Sequence, residues 1–71
     1  MTHDKLWRAV YNELAETLPT HAINTWFEPI LPIALSGKEL VLEVPNQFFY
    51  EWIESHYKHN LVSALSKMPE H

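Results

Sequence analysis

The spacing of apolar residues changes twice along this chain, and these changes limit the folds open to it. Up to Ile30, apolar residues recur at intervals of three and four, which is the period of a helix. From Leu31 to Val44 they alternate, as in a strand, and after Asn46 the helical spacing returns. The pattern predicts an α+β fold with the element order α-α-β-β-α, formed by residues 1–71 as a single domain.

The first helical part divides at Pro19. One helix is predicted from Asp4, as its N-cap, to Leu18, and a short second helix begins with Thr20 as its cap and stops at Pro29. Apolar periodicity assigns four large residues of the helices to the core: Trp26, Phe27, Ile53 and Leu61.

The two alternating runs predict an antiparallel hairpin. The residues expected on its buried side are Leu31, Ile33 and Leu35 in the first run and Leu40, Leu42 and Val44 in the second. The chain's one glycine, Gly37, lies in the connecting segment, where a hairpin loop commonly requires a positive φ. Pro32 cannot donate a ladder hydrogen bond, so the first strand is expected at an edge or to begin late.

A third helix is predicted from its N-cap Asn46 to Lys67, with Pro69 ending it. Its apolar residues lie mostly four apart, so the buried face rotates around a helix of 3.6 residues per turn. We therefore expect a bend between His56 and Lys58.

The composition argues against catalysis and against a cofactor. The chain has no cysteine, one glycine and one aspartate, Asp4, which leaves no thiolate, no glycine-rich phosphate loop and no Ser-His-Asp site. His56 and His59 are one helical turn apart, but a closed metal site needs three or four ligands and no other pair has suitable spacing. We predict a chain that is not an enzyme and holds neither metal nor cofactor.

The charge and hydropathy of the chain argue against nucleic-acid and membrane binding, but they do not identify a partner. The net charge is −4, and the five basic residues are scattered, so little or no direct nucleic-acid binding is expected. There is no apolar run long enough for a membrane helix and no signal-peptide pattern at the N-terminus. We expect a cytoplasmic protein that does not bind membranes.

Nine aromatic residues, three each of Trp, Tyr and Phe, are more than so small a core easily hides. Phe48 points about 100° away from Phe49 on the third helix and forms an apolar ridge with Trp52, four residues later. Two interpretations remain open for Phe48: an anchor for a partner, or a staple between the helix entry and its own domain. Trp7 lies within the apolar stripe of the first helix, which favours a core position.

Several short segments carry a resemblance when taken in order. They are Leu6-Trp7, Leu18-Pro19-Thr20, Thr25-Trp26-Phe27-Glu28-Pro29-Ile30, Val44-Pro45-Asn46-Gln47-Phe48 and Glu51-Trp52-Ile53. Together they resemble the family of N-terminal domains of the bacterial replication initiator DnaA, and the match spans nearly the whole chain. The resemblance implies a KH-like fold and a role in initiator assembly, with the ATPase and DNA-binding parts elsewhere in the parent protein. It also implies three partners: another copy of the domain, the replicative helicase and a regulatory protein of initiation.

The resemblance also implies roles for individual residues. Trp7 matches the first-helix tryptophan tied to self-association, and Phe48 matches the phenylalanine tied to helicase contact. A second-helix acidic residue that helps this contact in some members falls at Ala22 here. The residues implied alongside Phe48 in binding the helicase or regulator are Trp52, Asn46 and Gln47, together with His21 and Asn24 as polar substitutes near Ala22.

Alternatives to this function stay open. Family domains carry a third strand after the last helix, and here the sequence has none, so either the chain is cut short or the sheet stays two-stranded. A KH-like fold also suggests weak binding of single-stranded nucleic acid, although the Gly-x-x-Gly clamp of KH domains is absent. A free-standing adaptor that regulates an initiator is the third possibility.

Overall fold

The structure is a computed structural model that describes residues 2–68. The first helix, α1, spans His3–Thr17. Its N-cap is Thr2, whose Oγ1 accepts a hydrogen bond from the Lys5 amide at 3.3 Å. The prediction of Asp4 as the cap is wrong, because Asp4 already lies in the first turn, where its carboxylate faces the positive end of the helix dipole.

The second helical segment is short and changes its winding. A single α-helical turn, α2 (Thr20–Ala22), leads directly into a π-helical turn, Ile23–Phe27, closed by a hydrogen bond from the Glu28 amide to the Ile23 carbonyl at 2.9 Å. The expected short helix after Pro19 is confirmed, but Thr20 is its first residue and does not cap it. The wider turn inserts a residue into the helical repeat and so re-aims the side chains that follow.

Two antiparallel strands follow, β1 (Leu31–Ser36) and β2 (Glu39–Glu43), joined at Gly37, which has φ +60° as expected. Within residues 2–68 they are the whole sheet. The observed α+β order with a hairpin confirms the predicted fold class.

A bulge in β1 reverses the alternation that the sequence suggested. Pro32 pairs with Leu42 but Ala34 pairs with Val41, so the strand carries one extra residue, Ile33, at this point. Proline lacks an amide donor and is tolerated where the ladder is interrupted. Because an extra residue exchanges the two faces of a strand, Leu35 packs against the core, whereas Leu31 and Ile33 point outward. The prediction that Leu31 and Ile33 face the core is therefore wrong.

The last helical part is broken, as the rotating apolar face predicted. Helix α3 spans Gln47–His56 and helix α4 spans Lys58–Ser66, with Tyr57 between them at φ −127° and ψ 3°. The Asn46 side chain caps α3 by accepting a hydrogen bond from the Phe49 amide at 3.1 Å, which confirms that N-cap. The stop expected at Pro69 lies outside the described residues.

The core lies between α1, the π-helical turn, the inner side of the hairpin and the two C-terminal helices. The most completely buried side chains are Phe27, Leu6, Leu14 and Val10. Phe27 and Ile53 occupy the core as predicted, but Trp26 and Leu61 are only half-buried and pack at its margin. Of the helices in the described part of the chain, none is long and apolar enough to cross a membrane.

Candidate partner-binding surface

Three aromatic rings form a cluster at the protein surface, which we call the aromatic surface: Trp26, Phe48 and Trp52. The Trp26 and Trp52 rings are stacked, with centroids 5.0 Å apart and planes 11° from parallel. Phe48 lies 5.9 Å from Trp26 and 6.0 Å from Trp52, measured between ring centroids. Each ring therefore contacts the other two, and the cluster holds its members in fixed orientations.

The start of α3 determines which rings reach the surface. The Asn46 cap sets the first turn, so that Phe48 and Trp52, four residues apart, lie on one side of the helix. Phe48 is 59% exposed and Trp52 is 36% exposed. Phe49 turns inward, where it packs against the core and meets Trp26 at 5.1 Å with its ring edge-on. Phe48 thus has the exposure that a partner anchor requires, and its contact with Trp26 is one that a staple to its own domain also makes.

The sequence did not predict the position of Trp26 in this surface or the contact of His56 with it. Trp26 comes from the π-helical turn and is half-buried, so it supports the other two rings from below. His56 lies against Trp52, with ring centroids 4.1 Å apart, and extends the row along α3. The four-residue spacing from Trp52 to His56 was a signal that pointed to His56. The sequence gives no signal for Trp26, because its contacts with Phe48 and Trp52 join segments that are far apart in sequence.

The polar residues expected to bind a partner beside Phe48 lie on two different segments. Asn46 has its side-chain oxygen engaged in capping α3, and Gln47 donates a hydrogen bond to Glu51 Oε2 at 3.3 Å. Both therefore lie at the same helix start as Phe48. His21 and Asn24 are exposed on the segment that leads to Trp26.

Trp7, the residue expected in self-association, lies apart from these ring contacts. It is only 7% exposed and belongs to the core, and its aromatic neighbour is Tyr11, with ring centroids 6.3 Å apart. Its remaining exposed part lines a groove of about 520 Å³ between α1 and the segment that follows Phe27. The groove is lined by Asp4, Trp7, Arg8, Tyr11, Asn12, Phe27, Glu28 and Pro32.

A hydrogen bond crosses this groove. The Tyr11 hydroxyl donates to Glu28 Oε2 at 2.6 Å and so ties α1 to the end of the π-helical turn. This hydrogen bond stabilises the neutral phenol, and partial burial and the negative charge of Glu28 disfavour the phenolate. All three effects raise the pKa of Tyr11. The arrangement holds two elements together beside Trp7.

The aromatic surface has the chemistry of recognition. Its rings offer a large, rigid apolar area, and they lie beside exposed polar groups at the start of α3. No three His, Asp or Glu side chains among residues 2–68 converge as metal ligands.

Comparison with known sequences gives one family. The sequence model of the DnaA N-terminal domain matches residues 4–67. The chain is 46% identical over 65 residues to the chromosomal replication initiator protein DnaA of Chlorobaculum tepidum, covering 92% of this chain and 13% of that protein. It is 38% identical over 66 residues to the protein of the same name from Flavobacterium psychrophilum, covering 93% of this chain and 14% of that protein. It is 32% identical over 65 residues to the protein of the same name from Thermus thermophilus, covering 92% of this chain and 15% of that protein.

The chain thus spans 13 to 15% of the length of these relatives. No solved structure matches it significantly.

Proposed function

The chain belongs to the DnaA N-terminal domain family, and from this premise we propose that it is a protein–protein interaction domain of a replication initiator. Its partners in this proposal are the replicative helicase, a regulatory protein of initiation and a second copy of the domain. The part of the relatives that it matches is the N-terminal domain and not the ATPase module, so its proposed role is assembly at the origin, in the cytoplasm.

One observation carries the proposal: Phe48 is an exposed ring held in place by two tryptophans. A phenylalanine that is 59% exposed contributes little to the core, yet here it is oriented by contacts with Trp26 and Trp52. Aromatic side chains that are fixed before binding lose little entropy on complex formation, and they dominate the energetics of many interfaces. We therefore assign the helicase or regulator contact to the aromatic surface.

Polar residues complete this proposed contact. Gln47 and Asn46 lie at the same end of α3, and His21 and Asn24 are exposed on the segment before Trp26. They supply the hydrogen-bonding rim that usually surrounds an apolar interface centre.

For self-association we propose the groove beside Trp7. Trp7 itself offers little surface, so its neighbours on the groove must supply most of the contact. Arg8 and Asn12 are exposed there and lie on the same helix as Trp7.

Binding of single-stranded nucleic acid is the second candidate, because exposed rings stack on bases. Charge opposes it. The net charge of the chain is −4, and α3, which carries Phe48 and Trp52, also carries Glu51 and Glu54. A phosphate backbone on this surface would meet carboxylates, so the protein partner is favoured.

The test is the affinity of the replicative helicase for three forms of the chain, measured by surface plasmon resonance. Phe48→Ala removes the exposed ring and should weaken binding by at least about thirtyfold, since truncating an interface anchor costs about 2 kcal/mol or more. Tyr50→Ala is the matched control, because Tyr50 is similarly exposed on the same helix but lies outside the aromatic surface. Equal affinities for both variants would refute the assignment.

A further inference from the structure

The outward side of the hairpin carries apolar residues where polar ones are usual. We call this surface the outer hairpin face and define it by Leu31, Ile33 and Val41, with Glu39 and Glu43. An antiparallel sheet packed on one side commonly presents polar side chains on the other. Here Leu31, Ile33 and Val41 are 55, 48 and 46% exposed.

The bulge in β1 brings these aliphatic side chains together. It places Ile33 and Ala34 opposite Val41, while Leu31 precedes Ile33 by two positions on the same side of the strand. Without the extra residue Leu31 and Ile33 would face the core. The chain thus has a contiguous aliphatic strip on a surface that it does not use for its own folding.

Carboxylates lie at both ends of this strip. Glu43 pairs with Leu31 in the ladder, and Glu39 pairs with Ser36. They are four residues apart on one strand, a distance of about 13 Å. Neither belongs to any of the three ion pairs found among residues 2–68. Lys38, the nearest basic residue in sequence, lies in the turn, beyond the last ladder pair.

We propose that the outer hairpin face binds an amphipathic helix of a partner protein, aliphatic along its centre and basic at both ends of its buried side. Each strand takes up about 4.8 Å across the sheet, so the two strands together present a strip about 10 Å wide. This is about the diameter of one helix. A helix rises about 1.5 Å per residue with 3.6 residues per turn, so basic residues seven positions apart lie on one face, about 10.5 Å apart. Their long, flexible side chains cover the remaining distance to Glu39 and Glu43. This surface is separate from the aromatic surface, because it is built from β1 and β2 alone.

The charge of the outer hairpin face favours a basic helix over a second copy of the chain or an anionic lipid surface. A second copy would bring its own Glu39 and Glu43 against the same carboxylates, in a chain whose net charge is already −4. An anionic lipid surface meets the same repulsion. A helix with basic residues at both ends is attracted by Glu39 and Glu43. Its apolar centre then covers the exposed aliphatic side chains of the outer hairpin face.

The test uses a synthetic helical peptide of about 14 residues, with a Leu and Ala stripe and two Arg about seven positions apart on the same face as the stripe. Titrated into the ¹⁵N-labelled chain, it should shift amide signals between residues 31 and 43. The same peptide with Glu in place of both Arg should bind at least about tenfold more weakly at low salt, and salt near 0.5 M should remove most of that difference.

Variants of the chain locate the site. Val41→Ser should weaken binding of the Arg peptide about tenfold, whereas Val62→Ser, at another exposed valine on α4, should leave it unchanged. A double variant, Glu39→Gln with Glu43→Gln, should reduce the affinity at low salt only. It alters two exposed side chains and so keeps the test decisive if Val41→Ser does not fold.

Four results would overturn the proposal: no binding at millimolar peptide, equal binding of the Arg and Glu peptides, shifts confined to the aromatic surface, or binding unchanged in all hairpin variants. Shifts on this face that depend on protein concentration, without peptide, would instead show that a second copy occupies it.

Discussion

Trp26 and Trp52 stack in nearly parallel planes, with ring centroids 5.0 Å apart, and join the π-helical turn to α3. The stack forms a support on which Phe48 rests, with both of its neighbours about 6 Å away. A ring packed in this way is exposed to solvent on one side and supported by two neighbouring rings on the other, and this combination suits an interface anchor. Neighbouring rings on the same helix should therefore respond differently to truncation.

Phe48 and Phe49 make the sharpest pair. Phe49→Ala should lower the free energy of unfolding by about 2 to 3 kcal/mol, because the half-buried ring packs against the core and Trp26. Phe48→Ala should lower it by less than about 1 kcal/mol, because most of that ring is exposed. Urea unfolding followed by circular dichroism measures both. If Phe48→Ala unfolds as early as Phe49→Ala, the Phe48 ring serves the fold.

Trp7→Ala should destabilise the chain by about 3 kcal/mol or more, because the side chain is 7% exposed within the core. A domain of this size has a small stability margin, so a large unfolded fraction is expected at 25 °C. Thermal unfolding followed by circular dichroism checks this. A variant that melts with the unsubstituted chain would place Trp7 outside the core.

Self-association should depend on the exposed rim of the groove. Arg8→Glu sets a third carboxylate beside Asp4 and Glu28, so two copies meeting at this groove should repel each other and dissociate. Lys5→Glu is the control, because Lys5 is exposed on the same helix but does not line the groove. Sedimentation equilibrium compares the two. If both charge reversals change association equally, overall charge is the cause and the groove is not the contact.

The Tyr11 to Glu28 hydrogen bond predicts a pH dependence of stability. The bond raises the pKa of Tyr11 above its ordinary value of 10.0, so folding favours the neutral phenol. Its stabilisation is therefore fully present below pH 10 and is lost as the pH rises through the folded-state pKa. The difference in unfolding free energy between the unsubstituted chain and Tyr11→Phe should be constant from about pH 8 to 10 and shrink above that.

Urea unfolding across this range gives the difference, and Tyr50→Phe, at an exposed tyrosine of α3, controls for general alkaline effects. A difference that stays constant up to about pH 11.5 would show that the hydrogen bond does not contribute to stability in solution.

Much of the fold could be predicted because local signals agreed with it. Asn46 capping, the positive φ at Gly37 and the break near Tyr57 each follow from residue type or apolar period. The bulge at Ile33 could not be located in the same way. Pro32 indicated that the ladder is interrupted, but not that an extra residue is inserted after it. Such an insertion shifts the register by one residue and so exchanges the outward and inward sides of the strand.

The candidate site, too, could be predicted from the sequence only in part. Exposure of Phe48 followed from its angle to Phe49 on a helix whose cap was correctly identified. The position of Trp26 at the margin of the core could not be predicted. A π-helical turn breaks the 3.6-residue period on which its assignment to the core depended. For Trp7 the apolar stripe favoured a core position, and the structure confirms it, because the side chain is buried and packs in the core.

The most direct test of the account uses the chain's three tryptophans as reporters. With 5-fluorotryptophan incorporated, Trp7, Trp26 and Trp52 give separate ¹⁹F signals, assigned by single Trp→Phe variants. On addition of the replicative helicase, the signals of Trp26 and Trp52 should broaden or shift, the signal of Trp7 should stay unchanged, and Phe48→Ala should abolish the effect. A helicase complex that perturbs Trp7 alone, or leaves all three signals unchanged while binding, would contradict the assignment of helicase contact to the aromatic surface.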